Sequence, residues 1–414
     1  MTKTVRFELK TLPGSGIWTG GSDHTTMTSI KGSSLLGGMR FWTEAFLRSF
    51  GHEVCDCTHE KKKEVYGQNK DVCAACHVEA EHAGQGKQNK DVCAACHVFG
   101  CTGLARAFTL RIEPEGNVQG GQKIEKCVPI FEAGGKRYYY SLSQGWRGSL
   151  ALALSCRRPL SWPLSREKGE VCLPPEMLPA VFLMLEYGTL GALDQYGCGL
   201  VGMTNREALS AAVKEAALPV DGQAKPGAGF ADLKDFYFFK GKLDGAALQK
   251  KVPGAISMKK DENQRVQGQA GNASRGEALP GNFAHIVRLR RLLREAMRPL
   301  RDDAAHKELR HWVCGYMPQG KGGGVAVGSH VSLGVTEGGQ LYGWGWMPEK
   351  GIEGISASVW PGMRQQALDN LKKALGSICP NLTWKEFQSA RDASSPKEWR
   401  AYVEAMLETP WREE

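Results

Sequence analysis

Val5-Arg6-Phe7-Glu8-Leu9-Lys10 alternates apolar and charged side chains, and Leu35, Met39, Trp42, Ala45 and Phe46 then recur at helical spacing. A period of two residues marks a half-buried strand, and the second pattern puts an apolar stripe along one helix face. A loop rich in Gly and Thr, running through Gly20-Gly21-Ser22-Asp23, joins them, and Gly51 just past Phe50 suits a helix stop. Farther on, Phe108, Leu110 and Ile112 alternate with Thr109, Arg111 and Glu113, and Leu150, Leu152 and Leu154 give another strand. Pro174-Pro175 opens a helix over 176–187, and the glycine-dense Gly188-Thr189-Leu190-Gly191 leads to Cys198-Gly199-Leu200-Val201. The order is β-α-β-β-α-β.

The second half repeats that order more loosely. Phe236-Tyr237-Phe238-Phe239 reads as a short apolar strand, 284–298 as a strongly basic helix, and Val331, Leu333 and Val335 as a strand. Gly338-Gly339 turns a hairpin into Leu341-Tyr342-Gly343-Trp344, and a helix follows over 363–375. Two short helices close the chain, the last capped by Ser395 before Pro396. Two such passes make an α+β protein of two ferredoxin-like units in tandem. Residues 1–218 form the first unit, 219–230 a linker, and 231–414 the second unit with a mobile polar segment at 253–281. The sheet of such a unit leaves one face open, and RNA-recognition folds use that face.

The 414 residues are 42% hydrophobic and 23% charged, which suits two globular domains. No run of 18 apolar residues offers a membrane span, and the charged N-terminus lacks a signal-peptide core, so a cytoplasmic location is expected. A net charge of +9 favours polyanionic partners, phosphate backbones first.

Six of the 13 cysteines crowd between Cys55 and Cys96. They form three close pairs: Cys55 with Cys57, Cys73 with Cys76, and Cys93 with Cys96. The 11-residue string QNKDVCAACHV stands at 68–78 and again at 88–98, a local tandem duplication. Paired thiolates at this spacing suit tetrahedral zinc, so 51–98 reads as a zinc-binding insertion, with reduced thiols in a loop as the plain alternative. One structural zinc supplies on the order of 10 kcal/mol to a segment with little core of its own. Both CAACH strings also match the c-type haem attachment pattern, which would make the chain a dihaem cytochrome. Haem attachment normally follows export, and the N-terminus carries no export signal.

The stretch Thr28-Ser29-Ile30-Lys31-Gly32-Ser33-Ser34-Leu35-Leu36-Gly37-Gly38-Met39-Arg40-Phe41-Trp42 resembles the "S-I-x-G … L-R-F-W" signature of RAMP proteins. Cys93-Ala94-Ala95-Cys96-His97-Val98-Phe99-Gly100 is similar to that family's "C-x-x-C-x-x-F-G", and the segment from Tyr187 to Gly199 to its glycine-rich "F-G-G-L-G … G-x-G". The whole looks most like the tandem-RAMP subunit of Cmr-type CRISPR complexes. The resemblance implies two RAMP units in an RNA-binding subunit of a type III CRISPR ribonucleoprotein. Its partners would be the CRISPR guide RNA, target RNA and other effector-complex subunits. It also raises target-RNA cleavage through a loop aspartate, for which Asp23 is the matching candidate, although a turn or cap role fits that residue as well. The family pattern has a basic residue where Thr43 or Glu44 stands, and more basic residues where Asp194-Gln195 stands.

Within that reading, Lys31 beside Gly32 and Ser33 brings a cation and backbone N–H groups close to phosphate, and Arg40 offers a second cation. Arg288, Arg290, Arg291 and Arg294 form the densest basic patch, suited to sequence-independent phosphate contacts; a salt bridge, a solvated face or an acidic partner subunit are the alternatives for these arginines. Trp344 and Trp346 share a strand face and suit either base stacking or core packing. His330 reads as a satisfied surface histidine. Gly197-Cys198-Gly199-Leu200-Val201-Gly202 matches the dinucleotide fingerprint but lacks its strand–helix setting.

Overall fold

The computed structural model describes residues 4–20, 26–50, 54, 92–101, 103–115, 124–127, 129–140, 142–143, 145–157, 177–215, 232–258, 281–298, 304–315, 329–352, 354–388 and 392–412. Asp23, Cys55, Cys57, Cys73, Cys76 and the linker 219–230 lie outside them.

The first unit runs β1 (Thr4–Thr11), α1 (Gly32–Ser49), β2 (Phe108–Pro114), β3 (Ser149–Cys156), α2 (Met177–Tyr187), β4 (Val201–Met203). Its sheet has the order β2-β3-β1-β4, with every pair antiparallel. The alternation in β1 does what its spacing requires: Phe7 and Leu9 are buried while Arg6, Glu8 and Lys10 are exposed. Leu35, Met39, Trp42 and Phe46 of α1 are buried, and α2 is buried along its whole length.

The second unit repeats the path as β5 (Phe236–Lys242), α3 (Gly281–Ala296), β6 (Val331–Val335), β7 (Gln340–Trp346), α4 (Trp360–Gly376), β8 (Thr383–Glu386). Its sheet order, β6-β7-β5-β8, is the same arrangement of the same four antiparallel strands. Both units are therefore ferredoxin-like. The segment read from sequence as the first of two closing helices is the edge strand β8. A single helix, Pro396–Glu408, follows it, with the Ser395 hydroxyl accepting from the Glu398 amide.

The two sheets are not used alike. Alternate residues of β5 enter different cores: Tyr237 and Phe239 pack with α3 and α4, while Phe236 and Phe238 pack with α1 and α2 of the first unit. Trp42 is the centre of this junction, its ring 5.0 Å from Phe236, 5.5 Å from Trp344 and 6.2 Å from Phe238. Much of the face expected to be open on the second sheet is thus covered by the first unit's helices. Burying Phe236 and Phe238 contributes about 1.5–3 kcal/mol each, which makes that cover a principal attachment between the halves.

Other ties cross the same boundary. Residues 255–258, placed by sequence in a mobile segment, form a strand paired with Pro129–Ala133 of a hairpin that belongs to the first half. Trp399, Val403, Met406 and Leu407 of the closing helix also pack into the first unit's core. Beyond that helix, the Arg412 guanidinium donates to the Leu185 and Val201 carbonyls, each at 2.8 Å, and to that of Gly188. A cation at the C-terminal end of α2 is favoured by the helix dipole, and burial pulls this guanidinium down to about 10. No helix among the described residues is long and apolar enough to cross a membrane.

Candidate nucleic-acid interface

The N-terminus of α1 is built by Thr19. Its hydroxyl accepts from the Lys31 amide at 2.8 Å and donates to the Ser29 carbonyl at 3.5 Å, fixing the turn that enters the helix. No side chain of the N-cap residue itself closes the helix, and no acidic residue stands in the first turn. Lys31 and Ser33 are exposed and Gly32 half-buried. The first amides of an 18-residue helix, a lysine ammonium and a serine hydroxyl therefore share one exposed end. Such an end carries about half a positive charge from the helix dipole and offers N–H groups to an anion.

The glycine-rich segment lies one residue away. The Ala192 amide donates to the Trp18 carbonyl at 2.6 Å, and that of Gly199 to the Gly16 carbonyl at 2.9 Å. Gly191 and Gly199 both hold φ near +90°, and a Cβ on either would sit 2.5 Å from a backbone oxygen, of Trp18 and Leu190 respectively. Only glycine meets that combination of left-handed backbone and close approach. The segment runs into β4 with no helix at its start, so the dinucleotide fingerprint has no structural counterpart here.

The same loop docks on the second unit. Leu193 is the one non-glycine residue with positive φ among the described residues, at 58°. It opens a short turn, Asp194–Tyr196, in which Tyr196 lies beneath the Arg290 guanidinium at 5.3 Å. Desolvation pushes the Asp194 carboxyl up, against the Gln195 amide and the Arg290 charge, which hold it down. The acid standing where the family pattern has basic residues thus faces an arginine within its own chain.

Residues 14–201 match the RAMP superfamily. The first ferredoxin-like unit is a RAMP unit. The match begins at the loop after β1 and ends in β4, so it covers nearly the whole of the first ferredoxin-like unit. No curated protein matches the chain. Among solved structures it is similar to apo Cmr1 from Pyrococcus furiosus at 13% identity and a TM-score of 0.36, covering 92% of this chain and 98% of that one. It is also similar to a chain of type III-B Cmr-beta bound to cognate target RNA and AMPPnP in the presence of single-stranded DNA. That likeness has 9% identity, a TM-score of 0.42, and 89% and 99% coverage. A chain of type III-B Cmr-beta bound to cognate target RNA gives 9% identity, a TM-score of 0.37, and 87% and 99% coverage.

The arginines chosen from sequence sit differently from Lys31. Arg40 is half-buried: Nε donates to Glu44 Oε1 at 2.8 Å, Nη1 to the Gly100 carbonyl at 3.1 Å, and Nη2 to Cys96 Sγ at 3.0 Å. Burial pushes the Glu44 carboxyl up while Arg40 and Arg48 hold it down. On α3, Arg288 donates to the Gly254 carbonyl at 3.1 Å, and Arg291 pairs with Glu295 while lying 4.2 Å over Tyr138. Arg290 donates to Ser329 Oγ and to the Cys314 carbonyl, both at 2.8 Å, and Arg294 to the Gly315 carbonyl at 3.4 Å. The last two meet the C-terminal end of the helix Ala304–Cys314, where the dipole favours cations. The basic helix is thus turned inward and joins several elements together.

Trp344 and Trp346 are packing residues: Trp344 stacks on Phe236 at 5.8 Å and donates to the Thr189 hydroxyl at 3.2 Å, and Trp346 meets Phe41 and Trp312. His330 is half-buried. It stacks on Trp312 at 3.8 Å with Nδ1 2.8 Å from the Trp312 carbonyl, and burial holds it at about 4.

Cys93 caps the short helix Ala94–Phe99, and buried Cys96 lies inside it, packed with Val92, Cys101 and Leu104. Among the described residues no group of three or more His, Cys, Asp or Glu is arranged to hold a metal. Sequence reasoning missed Thr19, whose only signal is a hydroxyl a dozen positions ahead of the helix it closes.

Proposed function

We propose that this chain is the RNA-binding subunit of a type III CRISPR ribonucleoprotein, holding guide RNA or the guide–target duplex through its phosphate backbone. The RAMP superfamily match over residues 14–201 and the tandem ferredoxin-like units support the assignment. The observation that carries it is the exposed end of α1, where Lys31, Gly32 and Ser33 meet helix amides with no acid in the first turn. Phosphate contacts position a strand without reading its sequence, which is what a holder of many different guides requires.

The reading is tested by anisotropy titrations of the full chain with single-stranded RNA at several salt concentrations. Lys31→Ala weakens binding for every sequence and lowers the slope of log K against log salt by about 0.7, the value for one phosphate contact on a single strand. An unchanged slope and affinity would remove the α1 end from the interface. Purification from the native host brings down short RNA of uniform length.

Cys93 and Cys96 further support a structural zinc, completed by thiolates from among Cys55, Cys57, Cys73 and Cys76. Zinc bound there would pin the insertion to the start of the helix that Arg40 touches. Elemental analysis of the full chain, before and after chelation, measures it. A haem thioether at Cys96 would have to displace the Arg40 guanidinium from a buried sulfur.

A further inference from the structure

Where the first unit's cover of the second sheet ends, the same sheet face turns polar. Lys240, Tyr342 and Thr383 are cross-strand neighbours on the face that carries Phe238 and Trp344 two residues earlier or later. They form the floor of a cleft of about 580 Å³ between the units. Lys10, Thr11, Leu12 and Pro13 of the first unit form the facing wall.

Among the described residues the lining includes two lysines, one from each unit, and no aspartate or glutamate. Lys240 Nζ is held by the Trp411 carbonyl at 3.0 Å and lies 5.1 Å over the Trp411 ring, which fixes its position. The nearest acid on the β6–β7 turn, Glu337, points to Arg147 at 3.5 Å. The walls are fixed by their own bonds. The Gly148 amide donates to Thr11 Oγ1 at 3.1 Å, that of Gln340 to Thr336 Oγ1 at 3.0 Å, and that of Lys242 to Asn381 Oδ1 at 2.9 Å. A preformed concavity loses little on ordering when a ligand enters.

Its volume lies in the roughly 300–1,000 Å³ range of clefts that bury small ligands. The lysines suit a phosphate. Leu12, Pro13 and the Tyr342 ring offer an apolar surface for a base, and the threonine and amide side chains match ribose hydroxyls and base edges. We infer that this cleft binds a nucleoside phosphate, supplied either as a free nucleotide or as the terminal residue of an RNA strand.

The probe is 5′-AMP, titrated calorimetrically into the full chain without RNA, so the result is independent of whether the α1 end binds a guide. AMP binds, and adenosine binds at least tenfold more weakly. Lys10→Gln and Lys240→Gln each weaken AMP at least fivefold, and Lys397→Gln on the closing helix does not. Lys10 is exposed, so its variant reports even where Lys240→Gln disturbs folding through Trp411. Light-activated 8-azido-AMP labels peptides bearing Tyr342 or residues 10–13. Linear and circular ten-nucleotide RNAs separate the two sources: a preference for the linear form over AMP marks a strand end, and the reverse a free nucleotide. No AMP or RNA-end binding, binding indifferent to both lysines, or labelling elsewhere overturns the inference.

Discussion

Trp344 distinguishes a nucleic-acid surface from an internal joint, because the two roles predict losses in different quantities. Its ring stacks on Phe236, meets Trp42 edge-on at 5.5 Å, and donates through Nε1 to Thr189. Truncating a packed tryptophan to alanine costs about 3–5 kcal/mol, a large part of the roughly 5–15 kcal/mol that holds an ordinary domain folded. A base-stacking tryptophan would instead lose about 1–3 kcal/mol of binding per base. Trp344→Phe is the sharper probe. It keeps an aromatic ring against Phe236 and Trp42 but removes the bond to Thr189, about 1 kcal/mol, and some volume. The expected result is a lower denaturation midpoint for Trp344→Phe, a much lower one for Trp344→Ala, and unchanged RNA affinity for the folded fraction of both. Denaturant titration followed by far-ultraviolet dichroism gives the first quantity, and RNA anisotropy the second. A tenfold loss of RNA affinity in Trp344→Phe at an unshifted midpoint would refute the placement of that face inside the molecule.

Buried ionisable groups give opposing pH dependences. His330, held at about 4 rather than 6.5, stabilises fully above pH 6.5 and loses that contribution as pH falls towards 4, about 3 kcal/mol in all. Asp235, raised by burial from 3.8 to about 6, works the other way. Its contribution is present below pH 3.8 and lost as pH rises through 6, again about 3 kcal/mol. Asp235→Asn therefore gains stability relative to the parent as pH rises from 4 to 7; a difference that stays constant across that range rules the assignment out. Arg290→Ala removes bonds to Ser329 and Cys314 and a counter-charge near Asp194, so the midpoint falls while the salt dependence of RNA binding stays put, the reverse of Lys31→Ala. Gly191→Ala forces a side chain into left-handed backbone against the Trp18 carbonyl, costing on the order of 1–3 kcal/mol by thermal melting.

Most first-unit elements were legible because each has one wet face and one dry face. β1 shows this most plainly: Phe7 and Leu9 go in, while Arg6, Glu8 and Lys10 stay out. β8 was not legible, since Thr383-Trp384-Lys385-Glu386 is an edge strand with no buried residue and hence no alternation to read. The continuous run Phe236-Tyr237-Phe238-Phe239 carried more information than a strand assignment uses. Apolar side chains on both faces require a cover on both, and the second cover proved to be α1 and α2. Among candidate site residues, Lys31, Gly32 and Ser33 stand at the helix end that their pattern implies. The arginines of α3 do not form a solvated row, because charge along a helix says nothing about which carbonyls and rings its neighbours present. The helix end at Cys314 and Gly315 and the ring of Tyr138 come from distant parts of the chain.

The two sheets together restrict how this protein can hold RNA. Base stacking needs exposed π-faces, and the second sheet has committed Phe236, Phe238 and Trp344 to the first unit's helices. The first sheet has an open outer face, but its β1 and β2 residues there are Arg6, Glu8, Lys10, Thr109, Arg111 and Glu113, with no aromatic among them. Its charges are largely spent on one another, since Arg6 pairs with Glu8 and Glu113, and Arg111 with Glu113. Neither sheet therefore presents a row of stacking aromatics, and on the second Tyr342, at the cleft floor, is what the cover leaves to meet a base. What remains are loop and helix-end groups and the polar floor of the cleft, which grip phosphate and ribose rather than a row of bases. In the role proposed above, that indifference to sequence lets one chain accept any guide, and the fold obtains it by hiding Phe236, Phe238 and Trp344 between its own two halves.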